Sequence, residues 1–143
     1  MMNVSLVHGP IDIASLAATV AKDSNGATAI FVGNVRSSNE GRPVTGIEYS
    51  AYDEMAEREM ESILSEAGKK FGVADASIEH RLGTLRVGEA SIGVAVAHPH
   101  RGAALDALRY IVDETKRRAP IWKLEHYTDG SREWVNAGGV QAT

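Results

Sequence analysis

Two lysines seven residues apart flank a proline in the segment Lys116-Arg117-Arg118-Ala119-Pro120-Ile121-Trp122-Lys123. The residue before a proline is pushed out of helical geometry, so Pro120 stops the helix that carries Lys116. A strand starting at Ile121 then brings Lys123 back toward the same region. In that strand Lys123 alternates with Trp122 and Leu124 and shares a face with Ile121 and Glu125. A lysine half-desolvated on a sheet face, with a second cation nearby, has a lowered pKa and can act as acid, base or nucleophile. Cations near a helix C-terminus are also favoured by the helix dipole alone, and the spacing by itself leaves both readings open.

Two other places hold residue types suited to an anion. His98-Pro99-His100-Arg101 marks the junction of a strand and the last helix, and a helix N-terminus with His and Arg beside it is a ready anion site. A packing or capping role and a two-histidine metal site are the alternatives there. No acidic or histidine partner at familiar ligand spacing supports the metal. Gly33-Asn34-Val35-Arg36-Ser37-Ser38-Asn39-Glu40-Gly41 follows a buried strand and presents backbone amides and one long cation. An ordinary connection with a solvated arginine fits the same residues. His100 precedes Lys116 by 16 residues, or ~24 Å along a helix axis.

Hydrophobic periodicity places these groups on elements. Ile13 to Lys22 reads as a helix with Asp12 as N-cap and Ile11 and Leu16 as a hydrophobic staple. Ala27 to Val32 is a buried strand, Gly33 to Pro43 a polar loop, and Val44 to Tyr49 a second strand. Asp53 to Phe71 is the longest helix, with Ala56, Met60, Ile63, Leu64 and Ala67 inward and its carboxylates on a solvated face. Ile78, His80 and Leu82 alternate in a half-buried strand, Val87-Gly88-Glu89 turns, and Ile92, Val94 and Val96 lead to His98. The last helix runs from about Gly102 to Arg118. Ile121 to His126 is a strand, and Trp134-Val135 begins another. Tyr49, Tyr52, Trp122, Tyr127 and Trp134 read as core or interface aromatics. The mixed order predicts an α+β fold, and 143 residues predict one domain over 1–143.

Composition excludes whole classes of chemistry. With no cysteine, zinc ribbons, cysteine-held clusters, thiol nucleophiles, persulfide carriers and disulfides are all ruled out. Sulfur, if handled, must be brought by another molecule. The net charge of −4 argues against a general nucleic-acid binder. No signal-peptide pattern opens the chain, and no apolar run approaches the ~20 residues of a membrane span, so a cytoplasmic protein is expected.

Taken together, the motifs resemble one family, the large catalytic subunit of molybdopterin synthase. The resemblance rests on Phe31-Val32-Gly33-Asn34-Val35-Arg36 with Asn39 and Gly41, and on His80-Arg81-Leu82-Gly83 with Gly88-Glu89. It continues through His100-Arg101 and through Lys116 to Lys123 by way of Ala119-Pro120-Ile121-Trp122. It spans about Ala27 to Trp134 in the family's order and spacing.

The resemblance implies a sulfurtransferase of molybdenum cofactor biosynthesis. Such an enzyme adds two sulfurs to cyclic pyranopterin monophosphate (precursor Z) to form the molybdopterin dithiolene. Sulfur arrives as a thiocarboxylate on the C-terminal glycine of a ubiquitin-like small subunit. The implied assembly is a homodimer of large subunits within a heterotetramer, and the implied fold is an α/β hammerhead with an additional antiparallel β subdomain. No cofactor and no metal are expected.

By position, Lys116 is the implied principal catalytic lysine, beside the incoming glycine carbonyl. Lys123 is its helper in proton transfer and phosphate binding. Arg36, His100 and Arg101 are implied to bind phosphate and pterin, and Asn34, Val35, Leu124 and Glu125 to line the pocket. Two departures stand out: Leu124 replaces a cation that many relatives carry, and the tail reads Gly138-Gly139 where some supply an arginine. The rival reading is a non-catalytic anion- or phosphate-binding module that uses the same cations.

Overall fold

The computed structural model describes residues 1–135. They run β1 (Met2–Val7), α1 (Ile13–Val20), β2 (Ala27–Asn34), β3 (Ser38–Asn39), β4 (Arg42–Ala51), α2 (Asp53–Phe71), β5 (Asp75–Arg81), β6 (Gly83–Arg86), β7 (Ala90–His98), α3 (Arg101–Arg118), β8 (Ile121–Tyr127) and β9 (Arg132–Val135). Residues 138 and 139, the glycine pair of the tail, lie outside the described residues.

Strand β7 shows how sequence alternation builds the first layer. Ile92, Val94 and Val96 face one way and join Met60, Ile63 and Ile111 of α2 and α3 in the main core. Gly93, Ala95 and Ala97 face the other way, where Leu16 and Val20 of α1 pack on the alanines. Small residues are needed on that face: a Cβ at Gly93 would come within 2.8 Å of the Leu16 side chain. Asp12 fixes the start of α1, accepting from the Ser15 amide at 3.1 Å, as an N-cap should. The sheet order is β1-β5-β7-β2, with β1 parallel to β5 and the other pairs antiparallel. Strand β2 forms one edge of this sheet.

The second sheet carries the candidate chemistry and is antiparallel throughout. β4 pairs with β8 on one side and β6 on the other, and β9 extends β8. Ile47, Tyr49, Ile121, Glu125 and Tyr127 are buried on its inner face. The three helices packed on the first sheet and the added second sheet together give the expected α+β, hammerhead-like arrangement.

Four features differ from the sequence reading. β2, read as a buried strand, is an edge strand on which only Ala29 is buried. The stretch 33–43 is not a plain loop: β3 pairs Ser38 with Pro43 and Asn39 with Arg42, making a hairpin. Its two-residue turn holds Glu40 at φ 49° and Gly41 at φ 80°, the left-handed pair that suits hairpin twist. β1 and β6 are additional strands, β1 pairing with β5 and packing Val4 and Leu6 on the core, β6 pairing with β4. The acidic face of α2 is not wholly solvated, because Arg118 of α3 binds Glu59 at 2.7 Å and Glu66 at 2.6 Å, tying the two helices together.

Candidate active site

Lys123 stands on the inner face of β8, directly opposite Tyr49 of β4 and two residues from buried Glu125. Lys116 comes from the last turn of α3. Pro120 ends that helix, and the chain reverses into β8 at once. The Pro120 carbonyl accepts from the Tyr52 amide at 3.3 Å, which pins the reversal to the start of α2. Arg36 arrives from the connection between β2 and β3. Its base is rigid: the Val35 amide donates to the Glu89 carbonyl at 2.9 Å and Gly88 donates back to the Val35 carbonyl at 2.8 Å. Glu89 is held in turn by the Arg86 amide at 2.7 Å and the Arg81 guanidinium at 3.2 Å.

These cations share one electrostatic environment. Burial, then the Lys116 charge, and also the Arg36 charge push the Lys123 ammonium below the usual lysine range, while Glu125 pulls the other way. Burial and neighbouring cations both disfavour the charged form, which makes this ammonium a readier proton donor than a solvated lysine. Sequence spacing predicted this pair, and the fold brings it together with Arg36.

A fourth member of the cluster went unassigned in the sequence. His80 of β5 is buried, its ring edge-on to Tyr49 at 5.2 Å, and its Nδ1 lies 2.9 Å from the Arg81 carbonyl. Burial above all, with the charges of Lys116 and Lys123 acting in the same direction and the Arg81 carbonyl opposing, lowers its pKa to about 4. The imidazole is therefore neutral at physiological pH, with Nδ1 as the donor to that carbonyl. The alternation of Ile78, His80 and Leu82 pointed His80 inward, but nothing in the sequence said that the lysines lie above it.

Other expected site residues fall elsewhere. Val35 is 2% exposed and belongs to the main core, so it supports Arg36 from below rather than lining a pocket. Leu124 lies on the outer face of β8, opposite Trp134 of β9, because side chains alternate along a strand. Asn34 is exposed at the irregular end of β2. Glu125 shares the inner face with Lys123, as expected. His100 and Arg101 begin α3, at the far end of the helix from Lys116. They line a separate cleft of about 420 Å³ with Gly26, Ala27, Pro99 and Gly102, beside the β2 edge. The His98 Nδ1 accepts from the His100 amide at 2.9 Å. Among the described residues no group of three or more His, Asp or Glu side chains is arranged to hold a metal ion.

The arrangement is a cluster of three cations, Lys116, Lys123 and Arg36, over a buried neutral histidine on a two-sheet α+β scaffold. Comparison with known proteins is specific. Residues 6–118 match the sequence profile of the MoaE protein family. The chain is 48% identical over 134 residues to the molybdopterin synthase catalytic subunit of Pyrococcus abyssi, covering 92% of this chain and 90% of that protein. The crystal structure of molybdopterin synthase from Staphylococcus aureus superposes with a TM-score of 0.86 at 32% identity, over 90% of this chain and 93% of that one. A complex of subunits 1 and 2 of the molybdopterin-converting factor from Helicobacter pylori has the same fold, with a TM-score of 0.73 at 24% identity over 92% and 88% of the two chains. The chain belongs to the MoaE protein family.

Proposed function

We propose that this chain is the catalytic subunit of a molybdopterin synthase. It moves two sulfurs from a thiocarboxylated, ubiquitin-like small subunit to cyclic pyranopterin monophosphate and so forms the dithiolene of molybdopterin. The observation that carries the reading is Lys123, desolvated between Lys116 and Arg36. A passive phosphate-binding module needs cations but gains nothing from burial and repulsion that disfavour the lysine's charge.

In this reading Lys116 faces the glycine carbonyl of the incoming tail. Lys123 exchanges protons with the reacting groups and, with Arg36, holds the substrate's phosphate. The absence of cysteine supports a division of labour in which the small subunit carries the sulfur. Tyr52 and Trp134 are 62% and 61% exposed and with Trp122 wall an apolar cleft of about 280 Å³ on the outer face of the second sheet. That surface suits a protein partner. The Helicobacter pylori relative was solved as a two-subunit complex, which supports a small-subunit partner here.

The distance between His100-Arg101 and Lys116 supports a homodimer of catalytic subunits. In such a dimer, His100 and Arg101 complete the phosphate and pterin contacts of the neighbour's site. Among the described residues strand β2 is an edge of the first sheet bearing Ile30, Phe31 and Val32, and it adjoins the His100-Arg101 cleft, a place suited to a second copy.

The test is reconstitution. Mixed with precursor Z and a thiocarboxylated small subunit, the protein should form the dithiolene and consume two carriers per product. Equal rates with free sulfide and no carrier, or tight substrate binding with no product, would overturn the assignment.

A further inference from the structure

The β3 arm of the hairpin after Arg36 is tied to β8 by a side-chain bond to one carboxylate oxygen. Glu125 is 5% exposed, and its Oε1 accepts from Asn39 Nδ2 at 2.8 Å and from the Tyr127 hydroxyl at 2.8 Å. Both donors are themselves held in place. Asn39 stands at the mouth of the Glu40-Gly41 turn, paired with Arg42. Tyr127 is buried, and the Arg42 guanidinium lies 3.5 Å above the centre of its ring. Arg42 is in turn anchored by Glu133 at 2.7 Å and Ser131 at 2.9 Å.

This network has a consequence for Lys123. Residues two apart on one strand face are separated by about 7 Å, a gap that Glu and Lys side chains close easily. Glu125 nevertheless turns to two neutral donors. We propose that Asn39 and Tyr127 are positioning residues that hold Glu125 away from Lys123, so that the lysine meets substrate unpaired rather than as half of an ion pair. The proposal rests on the reading of Lys123 as a site residue.

The groups around Lys123 come from five elements or connections: Lys116 from α3, Arg36 from the β2–β3 connection, Glu125 from β8, His80 from β5 and Tyr49 from β4. His80 is neutral, and the Tyr49 phenol is pushed up by burial, so neither carries charge near pH 7. Burial, Lys116 and Arg36 lower the Lys123 pKa, and of the facing groups Glu125 raises it. Glu125 is therefore the group whose approach would oppose the shift. An opposite charge brought into contact raises a lysine pKa by about 1–3 units.

The experiment follows the Cε–Hε NMR signals of the five lysines of the full chain through a pH titration, with Lys123 assigned by loss of its signal in Lys123→Arg. Asn39→Ala and Tyr127→Phe should each raise the Lys123 midpoint by at least ~1 unit. Neither should do so when Glu125→Gln is also present, because a neutral amide cannot form the ion pair. Turnover of both single variants at pH 7 should fall about tenfold with little change in KM, and return at higher pH, a recovery that a structural defect does not show. Tyr127→Phe keeps the ring beneath Arg42, so it tests the idea even if Asn39→Ala folds poorly. Unchanged midpoints in both variants, or equal shifts with and without Glu125→Gln, would overturn the proposal. The titration needs neither substrate nor partner, so it judges the clamp even where reconstitution fails.

Discussion

His80 illustrates how one buried side chain couples the site to the stability of the fold. Its imidazole is held neutral by burial, with a pKa of about 4 against about 6.5 in an unfolded chain. As pH falls, the unfolded state takes up this proton first. The stabilisation is thus fully present above about pH 6.5 and is lost as pH drops toward 4. Between pH 7 and pH 5 this one group should remove about 2 kcal/mol of unfolding free energy. Urea unfolding of the wild type and of His80→Phe at the two pH values measures it. The phenyl ring preserves the edge-on contact with Tyr49 but cannot titrate, so the variant's midpoint should lose most of that pH dependence. An equally steep loss in His80→Phe would assign the effect to other groups. The neutral ring also matters for the lysines. A third charge beneath Lys123 would add to the repulsion already exerted by Lys116 and Arg36.

At the scale of elements, the second sheet depends on how closely its strands approach. A Cβ placed on Gly46 of β4 would sit 2.6 Å from the Leu85 carbonyl oxygen of β6, a backbone atom that cannot rotate away. Gly46→Ala should therefore cost about 1–3 kcal/mol, and hydrogen exchange should show β6 amides losing protection before those of β7. Such contacts explain what was legible in the sequence. α2 was read at its observed bounds and β7 from its alternation, because each buries a long, regular apolar face. β6 was missed because it has only four residues, and β1 because its alternation of Met2, Val4 and Leu6 spans just six residues at the start of the chain. The lysine pair was legible because a proline between the two forces a helix-to-strand reversal. The Asn39–Glu125 bond joins residues 86 apart, and no local pattern encodes it. The outward turn of Leu124 did follow from strand alternation, and it was the family resemblance that placed this residue in the pocket.

For the whole molecule, the decisive fact is the length of α3. His100 and Arg101 stand at its N-terminus and Lys116 in its last turn, ~24 Å apart along the axis. Opposite ends of a straight helix cannot both touch one small pterin phosphate, so the two groups serve a single active site only if they come from different copies of the chain. The β2 edge of the described residues, beside the His100-Arg101 cleft, suits the proposed two-fold contact, in which each copy would lend these residues to its neighbour. This geometry makes a quantitative prediction. Arg101→Ala and Lys116→Ala should each be nearly inactive, since every site in either homodimer carries one lesion. Co-refolded in equal amounts, half of the dimers are mixed, and in those one site collects both lesions while the other collects neither. About a quarter of wild-type dithiolene formation should therefore return, a fraction that follows from random pairing alone. Native mass spectrometry counts the mixed dimers independently of activity. If they form in the expected proportion and no activity returns, His100 and Arg101 do not act in the neighbour's site.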